Sequence, residues 1–148
     1  MDRKEFLKTC GFACMGVMGA GILWSGCAGA RLISAEISGD NMIVPVADFE
    51  IIKKEVISYR KYVVVQHELL QYPICVYRFS ENEYSALYMR CTHQGAELTA
   101  YGDKLVCSAH GSEFDNRGGV TGSPADKPLR AFPVVIENQQ LKISLKVL

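Results

Sequence analysis

Two short segments limit what this chain can fold into more than anything else in it. Residues 91–96 read Cys-Thr-His-Gln-Gly-Ala and residues 107–112 read Cys-Ser-Ala-His-Gly-Ser. The pattern is C-x-H, thirteen residues, then C-x-x-H. Thiolates and neutral imidazoles are metal ligands, and two of each make a full donor set. The fold therefore has to carry the two segments on loops that face one another. Gly95 and Gly111 follow the histidines closely, and glycine lets such a loop turn tightly and present backbone N–H groups to an anion.

The sequence around these boxes reads as short strands. After Ala30 there is no long apolar pattern of helical period, and β-rich runs take its place. Met42–Val46 and Tyr62–Gln66 are two of them. Pro73–Phe79 and Tyr84–Met89 flank the polar turn Ser80-Glu81-Asn82-Glu83, and Glu97–Tyr101 and Lys104–Val106 flank Gly102-Asp103. Leu129–Ile136 and Leu141–Val147 flank Glu137-Asn138-Gln139-Gln140 and close the chain as a hairpin. Each box then follows a strand. Strands separated by turn residues predict an all-β, antiparallel domain of several small sheets. A length of 148 residues suits one domain, with little left for a second.

The N-terminus reads differently. Arg3, Lys4 and Lys8 precede Thr9–Ala30, 22 residues without a charge. A basic start and an apolar run make an export signal or a membrane anchor. Ser25-Gly26-Cys27 resembles the lipobox of bacterial lipoproteins, which makes Cys27 the lipidation candidate. Trp24 stands where an aliphatic residue is usual. The alternative is a retained span, since the run is long enough to cross a bilayer, although its glycines disfavour a stable helix. Both readings place the domain outside the cytoplasm and at a membrane. Arg3-Lys4-Glu5-Phe6-Leu7-Lys8 also resembles the twin-arginine export motif, with Lys4 in place of the second arginine, and Sec export is the alternative. Cys10 and Cys14 read as small filler of this segment. The division is thus 1–30 for the signal or anchor and 31–148 for the folded domain.

Charge excludes one partner class. Lysine plus arginine number 16 and aspartate plus glutamate 16. Loss of residues 1–26 removes Arg3, Lys4 and Lys8 against Asp2 and Glu5, leaving a net charge of −1. Nucleic acid as a main partner needs a basic excess that this chain lacks.

The double box, C-T-H-Q-G with C-x-x-H-G-S-x-F, resembles the Rieske iron–sulfur family from about Met42 to the C-terminus. Gly122-Ser123-Pro124-Ala125 falls at the family's proline loop, which singles out Pro124. The resemblance implies a Rieske-type β-sandwich or barrel of small sheets with an inserted cluster-binding subdomain, about 89–129. It implies one [2Fe–2S] cluster, with Cys91 and Cys107 on one iron and His93 and His110 on the other. Two thiolates fewer than a four-cysteine site leave the cluster less negative, so it accepts an electron more easily. The histidines are expected at the surface, where reduction can couple to protonation.

The resemblance further implies one-electron transfer by a membrane-tethered subunit of an oxidoreductase or respiratory complex, quinol-oxidising or like arsenite oxidase. His110 is then the expected contact for quinol or a partner protein. A stand-alone carrier is the alternative. A zinc-stabilised binding module, without redox chemistry, is a third reading of the same donor set.

Three departures from the family matter. Quinol-oxidising members join a further cysteine of each box in a disulfide, and here those positions are Ala96 and Ala109. The loops then depend on hydrogen bonds, the Pro124 loop and packing. Ser112 stands where high-potential members donate a hydrogen bond to a bridging sulfide, and Phe114 replaces a tyrosine that donates to a cysteine sulfur. One donor of two predicts an intermediate potential, roughly −100 to +150 mV. Cys75 reads as a buried structural thiol, and His67 as solvated. Tyr84 and Tyr88 read as packing residues on one strand face, and Glu113 and Asp115 as a solvated edge.

Overall fold

The computed structural model describes residues 30–146. The readings placed on residues 1–29, Cys10, Cys14 and Cys27 among them, lie outside the described residues. In chain order the strands are β1 (Arg31–Ser34), β2 (Glu36–Ser38), β3 (Asn41–Pro45), β4 (Glu50–Lys53), β5 (Val56–Tyr59), β6 (Tyr62–Gln66), β7 (Ile74–Arg78), β8 (Tyr84–Tyr88), β9 (Thr99–Tyr101), β10 (Lys104–Val106), β11 (Glu113–Asp115), β12 (Val120–Gly122), β13 (Ala131–Phe132), β14 (Val134–Glu137) and β15 (Gln140–Ser144). One 3₁₀ turn, Val46–Phe49, joins β3 to β4. The chain is all-β, as expected. Among the described residues no helix is long and apolar enough to cross a membrane.

The five-stranded sheet β1-β6-β7-β8-β13 forms the middle layer. Side chains alternate across a strand, so β6 to β8 feed two cores. Val63, Val65, Ile74, Val76 and Ala86 pack with Met42, Val44, Leu141 and Ile143 of the sheet β14-β15-β3-β2. Val64, Cys75, Tyr77 and Leu87 pack on the other side with Leu98, Leu105, Cys107 and Phe114, from and around the sheet β12-β11-β10-β9. Burial on both faces explains why YVVVQ and ICVYR are nearly continuous apolar runs. Tyr84 and Tyr88 do pack, against Phe49 and against Tyr72 and Phe132.

Three details depart from the sequence reading. The pairing of β1 with β6 is parallel, Arg31 opposite Val63, because the chain reaches β6 only after leaving the middle sheet for β2 to β5. The run Leu129–Ile136 splits at Pro133. Proline has no N–H for a ladder, so β13 ends the middle sheet and β14 starts the next one. His67 is half-buried rather than solvated. Its Nδ1 accepts the Leu69 N–H at 3.1 Å, and its side lines a groove of about 500 Å³ with Gln66, Glu68, Leu70 and Glu97.

The middle sheet has two unlike ends. Beyond the Val65–Ile74–Tyr88 end the chain runs through Met89 and Arg90 into the first box. At the Tyr62–Arg78–Tyr84 end lie Arg31 and the root of the β4–β5 ribbon: Asp48 accepts from Arg31 at 3.0 Å, and the Arg60 N–H donates to the Phe49 carbonyl at 2.7 Å.

Candidate metal centre

Both boxes fold into the same hydrogen-bonded loop. In the first, the Cys91 N–H donates to the Ala96 carbonyl at 2.8 Å and the Gly95 N–H to the Cys91 carbonyl at 2.9 Å. In the second, the Cys107 N–H donates to the Ser112 carbonyl and the Gly111 N–H to the Cys107 carbonyl, both at 2.8 Å. Each loop thus opens on a cysteine and turns back at a glycine four residues later. Gly95 has φ +77° and Gly111 φ +82°, a region that other L-residues enter only with strain. At Gly95 space adds to the demand, since a Cβ would stand 3.1 Å from the Arg90 guanidinium. The histidines do not share a position: His93 is two residues after its cysteine, His110 three.

The side chains sort into two pairs. Cys91 and Cys107 are buried free thiols in one core, and the Cys107 side chain hydrogen-bonds to Cys91. His93 and His110 meet edge to face with ring centroids 5.0 Å apart. His93 is half-buried and His110 exposed. The expected ligands are therefore brought together, thiols inward and imidazoles outward. Among the described residues no three His, Cys, Asp or Glu side chains gather about one ion. Burial pushes the Cys91 thiol up, but it is outweighed: the His93 and Gln94 N–H groups and the Cys107 and Ser112 side chains hold it below its ordinary value. The site favours the thiolate, which is the ligating form.

Ser112 is wholly buried. Its Oγ accepts the Ala125 N–H at 3.0 Å, and its hydroxyl also serves Cys91. It thereby links both loops to the Ser123-Pro124-Ala125 turn. The Ser123–Pro124 bond is cis. Phe114 is buried without a donor group. Two contacts went unread in the sequence. Tyr72 Oη donates to the Gly95 carbonyl at 2.6 Å, and Thr92 Oγ1 to the Lys127 carbonyl at 2.7 Å. Thr92 stands inside the first box and could have been flagged there. Tyr72 carries no local signal, since its partner is 23 residues away. Glu113 and Asp115 are also more than a solvated edge. Glu113 pairs with Lys104 at 2.9 Å, and Asp115 accepts the Arg117 and Gly119 N–H groups.

These residues fit an iron–sulfur group. The His93 Nδ1 is buried without a hydrogen-bond partner, and leaving such an atom unmet costs about 1–3 kcal/mol. An electrophile between the loops would meet it. Two thiols, one with a lowered pKa, complete a soft donor set.

Comparison with known proteins gives the same direction. The family model for the Rieske [2Fe-2S] domain matches residues 48–133. The plasma membrane Rieske protein PetC3 of the cyanobacterium Synechocystis PCC 6803 is similar in structure, with a TM-score of 0.50 and 23% identity over 57% of this chain and 86% of that one. A ferredoxin of Sphingomonas yanoikuyae B1 aligns with a TM-score of 0.45 and 30% identity, over 57% of this chain and 84% of its own. No curated protein matches the chain.

Proposed function

The chain belongs to the family of Rieske [2Fe–2S] domains, and from that premise we propose that it is a membrane-tethered electron-transfer subunit of an oxidoreductase or respiratory complex. Membership brings one [2Fe–2S] cluster and one-electron transfer. When bound, the cluster takes up and releases single electrons. In this reading Cys91 and Cys107 hold one iron, and His93 and His110 the other. The observation that carries it is the pair of facing buried thiols beside two imidazoles, one with an orphaned nitrogen.

The chain's own residues do the rest. The N–H groups of His93 and Gln94 favour the Cys91 thiolate. The Ser112 hydroxyl withdraws charge from that sulfur and so favours the reduced, more negative state. Leu98, Leu105 and Phe114 keep water from the thiol side. Exposed His110 is the edge through which an electron leaves or a quinol or partner is touched. The tether is the N-terminal segment, lipidated at Cys27, with the domain on the extracytoplasmic side. The complex is quinol-oxidising or like arsenite oxidase.

The stand-alone carrier is the second reading, favoured by one observation: the ligand loops and Arg31, where the tether joins the fold, lie at opposite ends of the middle sheet. Protein isolated from its native membrane is expected to hold two irons and to give a reduced-state EPR signal. Colourless protein holding one zinc ion overturns the assignment. Quinol-driven bleaching in those membranes selects the complex, and reduction only by a soluble partner selects the carrier. Mass spectrometry of the mature N-terminus checks acylation of Cys27.

A further inference from the structure

The β4–β5 ribbon is a sheet of two strands and, among the described residues, pairs with no third. A two-stranded ribbon is marginal in water on its own, and this one shows apolar side chains to solvent on both faces. Ile52 and Ile57 stand opposite one another on one face, with Tyr59 beside them, and Val56 lies on the other. Their exposures run from 44% for Tyr59 to 69% for Ile52. Lys53, Lys54 and Glu55 form the tip, with Lys54 and Glu55 at positive φ.

The place of the ribbon points to what covers it. Arg31, the first strand residue after the uncharged run Thr9–Ala30, is tied to Asp48 at the ribbon's root. Tyr59 lies under the Arg78 guanidinium at 4.0 Å, and Phe49 packs on Tyr84, so the root sits on the Tyr62–Arg78–Tyr84 end of the middle sheet. Lys61 pairs with Asp103 in the β9–β10 turn, the end of that sheet remote from Cys107. The start of β1 and the ribbon therefore lie at the same end of the molecule, and the ligand loops crown the other.

We infer that the β4–β5 ribbon is a second membrane contact, lying in the headgroup zone of the bilayer that holds the N-terminus. Ile52, Val56 and Ile57 meet the acyl boundary, and Lys53 and Lys54 meet anionic headgroups. The cluster end then points away from the lipid, by at least a five-residue strand, about 15 Å. This rests on the membrane-tethered reading.

The test uses the full chain with Trp24→Phe, so that an added tryptophan is the sole one. Ile57→Trp reports the ribbon, and Leu69→Trp reports an exposed site at the opposite end. Each protein is reconstituted into phosphatidylglycerol–phosphatidylcholine vesicles with or without brominated acyl chains. The expected result is roughly threefold stronger bromine quenching at position 57 than at 69. Adding Lys53→Glu and Lys54→Glu should cut that difference in anionic vesicles and leave it unchanged in pure phosphatidylcholine. Protein that sediments with vesicles but is quenched equally at both positions overturns the ribbon contact and leaves the tether standing. Protein that fails to sediment overturns both. Equal quenching in vesicles, with position 57 shielded only in native membranes, overturns the lipid contact in favour of a partner protein.

Discussion

The two ligand loops share a backbone frame and differ in what grips them. Loop 91–96 is held from outside by Tyr72 on the Gly95 carbonyl and by Thr92 on Lys127, and Arg90 covers its glycine. Loop 107–112 has an open glycine and exposed Ser108, Ala109 and His110. It is anchored from below by Ser112. One jaw is clamped and the other presents its imidazole. With alanine at 96 and 109 no cross-link joins them, so these few hydrogen bonds carry the alignment. Shifting the histidine by one residue on the same frame is what accompanies the change from half-buried His93 to exposed His110.

The largest effect tests where the jaws are equal. Cys91→Ala and Cys107→Ala should each abolish visible absorbance and reduce bound iron to near zero. Retention of a coloured cluster by either variant breaks the equivalence. Ser112→Ala comes next. It strands the buried Ala125 N–H, which costs about 1–3 kcal/mol, and removes a donor from the Cys91 sulfur, lowering the redox potential. Calorimetry and a redox titration read the two effects separately.

Cys75 sharpens the comparison from outside the loops. It shares a core with both ligand thiols, yet burial pushes it up to about 12. Above an unfolded value of 9.0 the unfolded chain ionises here and the folded chain does not. Stability therefore falls as pH rises past that point, by up to about 1.4 kcal/mol per pH unit. Cys75→Val should flatten the loss between pH 9 and pH 10 in denaturant titrations. An unchanged alkaline slope means that burial does not raise the Cys75 thiol, and its contrast with Cys91 falls. The smallest change is at the clamp. Tyr72→Phe should cost about 1 kcal/mol, hasten bleaching by a chelator and leave the potential unchanged. If bleaching is no faster, Tyr72 does not hold the first jaw.

Tyr62–Gln66, with both faces of its middle residues buried, was legible to the residue, and so was Lys104–Val106, whose start the Gly102-Asp103 turn sets. So were the boxes, because their chemistry is local in sequence. Strands β1 and β2 escaped because each turns only one side chain, Ile33 or Ile37, toward the core. β4 and β5 escaped because Ile52, Val56 and Ile57 obey no inward–outward alternation when both faces meet solvent. The parallel partner of β1 and the Tyr72 clamp depend on chain segments brought together only by folding. No periodicity encodes such meetings.

The middle sheet's double service has a further consequence. In a strand that is oily on one side only, misalignment by one residue is punished by wetting what should be dry. Here both sides are dry, so a slipped β7 would keep its solvation and merely swap tenants, sending the Tyr77 ring into the compartment fitted to Val76. Polarity cannot proofread that error. Correction falls to shape and to the 80–83 turn, where the Phe79 and Ser80 N–H groups both close on the Glu83 carbonyl and fix how the two strands align.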